Sequence, residues 1–480
     1  MRDRRQLVAA LAAAAALAVP TVLAFFSGGF FDEPRLWAAL VLWALVAVIA
    51  VAGPLPRPGA AGWAALGGLA VLTALTAASM AWTPIAGAAQ DDYQRLLLYL
   101  AALACAVTGF SRPGAARAAE PVLAAGVAVV CAYALSARLA PDLVEHAVSD
   151  AARGRLDQPL TYWNALGILS AMGLLLAARL AGDLGRPAWL RVGAAALGPL
   201  IALSTYLTFS RGALAALAIG VVAVVLFSPS RDDARGIAVV IAAGVVAALG
   251  SELPGLGAVS DPGTGGQDAG AAMALVLVLL GAAAAALVAR EAGRRPERPR
   301  PPLLSRARTG VVVAAAALGV VLVLLAGAAG EQRGGADASG ADRLSTVESN
   351  RYAYWRVALD TAADRPFAGT GSGSFGVQWL RHRDVDERVD DAHSLYLETA
   401  AELGLAGLVC LGLFLGGLFV AARRALEADR ALAAGPAAVL ITWAVHAGID
   451  WDWEMPAVTL VMLAAAGLLI VAGAPARARA

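Results

Sequence analysis

The sequence contains no lysine, so all 37 basic residues among its 480 residues are arginines. Cysteine and histidine are scarce, with three and four copies, and only 15% of the residues are charged. A soluble domain has about 25% charged residues, so this shortage excludes an ordinary soluble protein. Cys105, Cys131 and Cys410 lie inside apolar runs and lack metal-ligand spacing, so we expect neither a disulfide framework nor a metal site from them.

Long apolar runs are what the sequence has in abundance. Apolar residues make up 59% of the chain, and the mean hydropathy is +0.69. The runs are about 17–25 residues long, the length that a helix needs to cross a hydrocarbon core of about 30 Å. The sequence therefore predicts an all-α polytopic membrane protein with about 12–14 transmembrane helices. The predicted spans are 7–26, 36–52, 62–82, 94–111, 118–140, 161–181, 190–209, 212–227, 236–250, 271–289, 309–329, 403–422, 431–447 and 457–473. The first run is too long for a typical signal peptide, so we interpret it as a span.

The distribution of arginine predicts the orientation of these spans. With a cytoplasmic N-terminus, the cytoplasmic segments hold 23 arginines and nine acidic residues, and the external segments hold 14 arginines and 27 acidic residues. This asymmetry satisfies the positive-inside rule. We therefore expect a multi-pass membrane protein with both termini in the cytoplasm.

This topology divides the chain into three parts. Residues 1–329 form a bundle of about 11 spans, residues 330–402 form a large external loop with two short helices, and residues 403–480 add about three spans. The external side is also expected to carry four smaller polar features: Asp91 with Asp92, residues 141–160, Arg211 and residues 450–454.

The large external loop has its own local pattern. Residues 330–347 are rich in Gly, Ala, Asp and Ser, which is typical of a flexible segment. A helical pattern follows and ends at Pro366. A second helix is expected to begin near Asp390–Asp391 and to include His393, and Gly404 is expected to break it before the next span.

Two arginines and one histidine in this loop are candidates for chemistry. The planar guanidinium of arginine matches the oxygens of phosphate. Arg351 and Arg356 lie about 140° apart around a helix of 3.6 residues per turn, so we favour Arg351 as the ligand-binding residue and place Arg356 towards headgroups. His393 has the side chain whose pKa suits a general base near neutral pH. Alternatively, the arginines are solvated and His393 bonds to a backbone carbonyl.

Glycines and acidic residues supply further candidates. A turn with Gly369, Gly371 and Gly373 can cradle phosphate through its backbone N–H groups, although such turns more often permit tight packing. Arg211 lies at a predicted helix end. Its side chain there either has a functional role or extends to the membrane–water interface. The AspTrpAspTrpGlu segment (450–454) can bind a sugar or a cation, or anchor the protein at the interface. His446 is expected to be structural.

Three motifs, in this order, resemble the O-antigen ligase and O-antigen polymerase superfamily. They are SerArgGly at 210–212, an Arg-x-x-x-Trp motif leading to Pro-Phe-x-Gly-x-Gly over 351–375, and Asp-x-His-x-x-Tyr-Leu-Glu leading to Gly-Leu-x-Gly over 391–407. The segment ThrTyrTrpAsnAlaLeuGly (161–167) is also similar to a family pattern. The family often has asparagine after the histidine, where this chain has Ser394.

The resemblance implies a GT-C-type membrane glycosyltransferase. Such proteins move a glycan from a polyprenyl (undecaprenyl) diphosphate carrier to a hydroxyl of a polysaccharide, lipid or glycoprotein acceptor. It implies that Arg211 and Arg351 hold the diphosphate and that His393 orients or deprotonates the acceptor, in an inverting reaction without a metal or other cofactor. The expected substrate-binding residues are Arg356, Gly371, Gly373, Tyr396, Asn164 and Ser394.

Several alternatives remain open at this point. The resemblance does not separate a ligase from a polymerase or a protein O-oligosaccharyltransferase. A lipid-linked oligosaccharide flippase or another transporter is a different class, for which charges inside spans and repeated halves are typical. Here few charges lie in the span centres, and no clear repeat is evident. A structural scaffold would tolerate His393→Ala, whereas an enzyme would not. Nucleic acid is not an expected partner.

Overall fold

The structure is a computed structural model that describes residues 2–52, 56–144, 146–147, 149–228, 230–259, 267–291 and 350–475. Within these ranges the chain folds into α-helices, short 3-10 turns and connecting loops, without a β-strand. The predicted all-α fold class is therefore confirmed. The predicted span 309–329 and the segment 330–347 lie outside the described residues.

Fifteen α-helices make up the described structure. The first ten are α1 (Arg2–Ala24), α2 (Asp32–Ala52), α3 (Gly59–Ser79), α4 (Ala86–Gly109), α5 (Pro113–Leu139), α6 (Trp163–Gly182), α7 (Ala188–Leu207), α8 (Arg211–Phe227), α9 (Arg231–Gly250) and α10 (Gln267–Glu291). The remaining five are α11 (Arg351–Asp364), α12 (Phe375–His382), α13 (Leu395–Ala428), α14 (Arg430–His446) and α15 (Pro456–Ala472).

Thirteen of the predicted spans coincide with helices, most of them to within a few residues at each end. Among the described residues, nine helices are long and apolar enough to cross a membrane, namely α1, α2, α3, α5, α6, α7, α9, α10 and α13, and α8 and α15 are shorter apolar helices. The helices therefore support a polytopic membrane protein, as the apolar runs predict.

Two helices form the centre of the bundle. Every residue of α15 from Pro456 to Ile470 is buried, as is every residue of α6 from Asn164 to Gly182. Helices that are apolar on all sides are buried by neighbouring helices. Glycine allows a close contact between two other helices, because a Cβ atom at Gly68 of α3 would lie 2.5 Å from the backbone nitrogen of Phe414 in α13. Small residues commonly permit such close approach between membrane helices.

The start of α13 differs from the expectation. The predicted helix start near Asp390–Asp391 is wrong: α13 begins at Leu395, and Ser394 is its N-terminal cap. His393 lies outside the helix because its backbone has a left-handed φ of 53°, which a right-handed helix does not contain. The predicted break at Gly404 is confirmed, since this residue has φ 61° and ψ −154° inside α13.

Candidate functional site

A buried carboxylate joins three distant parts of the chain. The carboxylate of Asp450, only 1% exposed, lies 2.6 Å from Nη2 of Arg351. It also accepts a hydrogen bond of 2.7 Å from the hydroxyl of Tyr162. Arg351 lies at the start of α11, Tyr162 precedes α6, and Asp450 follows α14. The contact therefore brings the large loop, the start of α6 and the segment 450–454 to one end of the bundle.

Asn164 extends this chain of hydrogen bonds. Its side-chain amide donates to the Tyr162 hydroxyl over 2.7 Å, and that hydroxyl in turn donates to Asp450. Burial and the neighbouring charge of Asp450 raise the pKa of Tyr162, so Tyr162 stays a protonated donor. The position of Arg351 thus depends on Asp450, and the position of Asp450 depends on Tyr162.

We expect Tyr162→Phe to weaken activity without abolishing it. The substitution removes one hydrogen bond to a charged group, which contributes about 1.5–3 kcal/mol, while the ion pair of Asp450 with Arg351 remains. Glycan transfer should fall about 10–100-fold, since 1.4 kcal/mol corresponds to a factor of ten. Steady-state transfer rates measure this effect. A variant as inactive as Arg351→Ala would contradict this supporting role of Tyr162.

His393 lies near the ion pair of Arg351 with Asp450 and is surrounded by aromatic rings. Its ring centroid is 5.5 Å from that of Tyr354 and 6.1 Å from that of Trp451. Nδ1 lies 3.1 Å from the backbone oxygen of Asp391. This contact agrees with the alternative that His393 bonds to a backbone carbonyl. A bond at Nδ1 fixes the tautomer, so that Nε2 can act as a base.

The surroundings favour the neutral form of His393. Burial and the positive charge of Arg351 lower the pKa of His393, and the negative charge of Asp450 opposes them. A histidine with a lowered pKa is neutral at physiological pH. The site therefore holds an unprotonated imidazole beside an arginine, an arrangement that can accept a proton while a neighbouring anion is stabilised.

Arg211 lies at the first residue of α8, after the cap Ser210, whose hydroxyl accepts from the backbone of Ala213. It is exposed. A Cβ atom at the next residue, Gly212, would lie 3.0 Å from Nε2 of His446 and 3.2 Å from Ile449. The start of α8 therefore packs beside the loop that carries Asp450, and Arg211 belongs to the same end of the bundle.

Arg356 is separated from this arrangement. Its side chain is 68% exposed and lies 3.5 Å from Asp384, whereas Arg351 is turned inwards to Asp450. The two arginines therefore face different directions, as the helical spacing predicts. The structure does not bring Arg356 to the Asp450 ion pair.

The glycine turn is occupied by the protein itself. The backbone N–H groups of Gly373 and Phe375 donate to the carboxylate of Glu402, over 2.9 and 2.8 Å, and that of Gly371 donates to the backbone oxygen of Glu402 over 2.8 Å. The turn thus binds a carboxyl group, but this group belongs to a side chain of α13. These contacts do not support the expectation that Gly371 and Gly373 hold phosphate, and they favour the alternative of tight packing.

We expect Gly371→Ala to destabilise the protein. Gly371 has φ +96°, and a Cβ atom there would lie 2.5 Å from Cα of Thr83. Backbone strain of this kind costs about 1–3 kcal/mol, and the clash with a rigid backbone adds to it. The thermal unfolding temperature in detergent should therefore fall. Gly412→Ala is the matched control, because open space surrounds that position; equal stability of the two variants would contradict the packing role.

Tyr396 and Ser394 also have structural partners. The Tyr396 hydroxyl donates to the backbone oxygen of Ala444 over 2.6 Å. Ser394 is buried, and its hydroxyl accepts from the backbone of Leu397 as the cap of α13. Serine and asparagine are both good N-terminal caps, so Ser394 can replace asparagine without loss of this role. These contacts give no direct support to the expectation that Tyr396 and Ser394 bind substrate.

A group of carboxylates includes Asp391, whose backbone oxygen contacts His393. Asp391, Glu398 and Glu454 each place a carboxylate oxygen within 4.8 Å of the others, close enough to hold a cation. Arg95 lies 3.3 Å from Glu454, and burial raises the pKa of Asp391 to about 7 with Arg95 opposing it. Arginine and protons can thus balance this charge. Of the segment 450–454, only Glu454 belongs to this group.

Sequence reasoning missed several of these contacts. It did not pair Asp450 with Arg351, and it gave no role to Glu398 or Glu402. The available signal was the placement of acidic residues on the same predicted face as Arg351. His446, expected to be structural, is fully buried with Nδ1 2.6 Å from the carboxylate of Asp452.

A segment that contains part of this site is similar to a known family. Residues 266–412 match a family model described as O-antigen ligase. Arg351 and His393 lie inside the matched segment, whereas Tyr162, Arg211 and Asp450 lie outside it. No curated protein matches the chain.

Proposed function

Because residues 266–412 match a family model described as O-antigen ligase, we propose that the chain is a membrane glycosyltransferase that moves a glycan from a polyprenyl diphosphate carrier to an acceptor hydroxyl. One observation carries the proposal: Arg351 is paired with a buried carboxylate, and its charge acts on the candidate base His393. Its side chain is 23% exposed while that of Asp450 is 1% exposed. The buried carboxylate thus fixes a guanidinium that still reaches the surface.

The proposed reaction is a direct displacement at the anomeric carbon. The acceptor oxygen forms the new glycosidic bond as the bond to the diphosphate oxygen breaks, and the configuration inverts. His393 accepts the proton of the acceptor hydroxyl, and the bonding electron pair leaves with the diphosphate. Arg351 and Arg211 stabilise the negative charge that develops there. Since diphosphate is a good leaving group and arginines neutralise it, this route needs no metal.

The proposed location is the external side of the bacterial cytoplasmic membrane. The arginine asymmetry supports cytoplasmic termini and an external loop at 330–402. The contacts of Asp450 with Tyr162 and Arg351 support a single site at that side. The proposed partners are a lipid-linked glycan donor, a polysaccharide, lipid or glycoprotein acceptor, and membrane lipid.

Reconstitution of transfer tests the proposal. The purified protein is incubated with polyprenyl-diphosphate-linked oligosaccharides and a panel of acceptors, beside Arg351→Ala and His393→Ala. Transfer by the wild-type protein with inverted configuration, lost in both variants, is the expected result. Retained configuration would exclude the direct displacement. Movement of the lipid-linked glycan across vesicles without a new glycosidic bond would instead identify a transporter.

A further inference from the structure

We propose that Glu398 is a positioning residue that holds the backbone before His393 so that the imidazole faces the acceptor. The inference rests on the proposed function, because it takes His393 as the base. Oε2 of Glu398 accepts a hydrogen bond of 2.7 Å from the backbone N–H of Ala392. Glu398 lies in the first turn of α13, and its side chain reaches back past the helix cap to the residue that precedes His393.

His393 is held between two fixed backbone amides. On one side the N–H of Ala392 donates to Glu398, and on the other the N–H of Leu395 donates over 2.8 Å to the backbone oxygen of Ala447. Ala392 is fully buried. No water can therefore replace the carboxylate readily, and loss of the acceptor would leave a buried N–H without a partner.

The backbone of His393 needs such a restraint. Its φ of 53° lies in the left-handed region, which is sparsely populated by residues other than glycine. A strained conformation persists only where its surroundings fix it. This conformation places the His393 ring beside those of Tyr354 and Trp451, so the restraint at Ala392 also determines where the base points.

The role of Glu398 is to accept a hydrogen bond and not to supply negative charge. Its carboxylate lies within 4.8 Å of those of Asp391 and Glu454, and a further negative charge is unfavourable there. Two substitutions separate the two properties. Glu398→Gln keeps an accepting oxygen at the same distance from the backbone but cannot ionise, whereas Glu398→Asp keeps the carboxyl group but shortens the side chain by one methylene.

The test compares the single-turnover rate at saturating donor with the dissociation constant of the donor. We expect Glu398→Asp to lower the rate about 10–100-fold, as small misplacements of catalytic groups do, with unchanged donor affinity. Glu398→Gln should stay within about threefold of the wild-type rate, because its oxygen accepts the same N–H. Glu427→Asp, at an exposed position in the same helix, is the matched control.

A second measurement shows whether Glu398 acts through His393. In a His393→Ala background, Glu398→Asp should cause no further loss, since coupled residues are not additive. Additive losses, an active Glu398→Asp or an inactive Glu398→Gln would each overturn the inference. If His393→Ala itself kept full activity, the proposed function would fail instead; loss in His393→Ala together with full activity in Glu398→Asp would contradict only the role of Glu398.

Discussion

Arg351→Ala is expected to lower glycan transfer about 10³-fold, the effect of removing one preorganised donor from a developing anion. Arg351 is held at 2.6 Å by a carboxylate that is 1% exposed, so its guanidinium is positioned before the donor binds. Arg351→Lys should recover little activity, because an ammonium lacks the planar fork that matches phosphate oxygens. Single-turnover transfer with a lipid-linked donor measures both effects.

Arg356→Ala is the matched control for this prediction. Arg356 lies in the same helix but is 68% exposed and pairs with Asp384, so its removal should change transfer less than about twofold, as expected for an exposed ion pair. The double variant Arg351→Ala with Asp450→Asn removes the buried charge that the single variant leaves without its partner. Recovery of activity in the double variant would show that Arg351 only neutralises Asp450 and does not stabilise the leaving group.

His393→Ala is expected to lower transfer about 10²–10⁴-fold, the usual contribution of a general base. The same assay with His382→Ala provides the control, since His382 is exposed at the end of α12. Normal donor affinity in His393→Ala would confine the defect to the chemical step. A variant with wild-type rate would leave the site without its base and would favour a scaffold or a transporter.

The pH dependence of transfer provides an independent test of His393. Burial and Arg351 lower the pKa of His393 from its usual 6.5, while Asp450 and Glu387 oppose this shift. A base acts in its neutral form, so the rate should stay level from neutral pH down to below 6.5 and decline only under the lowered pKa. A decline that begins well above pH 6.5 would contradict this environment.

The glycine turn shows why a motif in the sequence does not identify its ligand. Three glycines with backbone N–H groups suit any anion. Only the folded chain shows that α13 brings Glu402 to Gly373 and Phe375. The kink at Gly404 lies two residues after Glu402 and changes the direction of α13 at that point.

The sequence alone determined the membrane-helix architecture, because crossing a bilayer requires long apolar runs that are visible without any tertiary contact. It also separated Arg351 from Arg356, because the helical repeat is a local property. Tertiary structure alone decided that Asp450, 99 positions away in the chain, pairs with Arg351. It likewise decided that His393 adopts a left-handed backbone and that Glu398 bonds to Ala392. Such pairings depend on how helices pack at one end of the bundle, and the spacing of residues along the chain does not encode that packing.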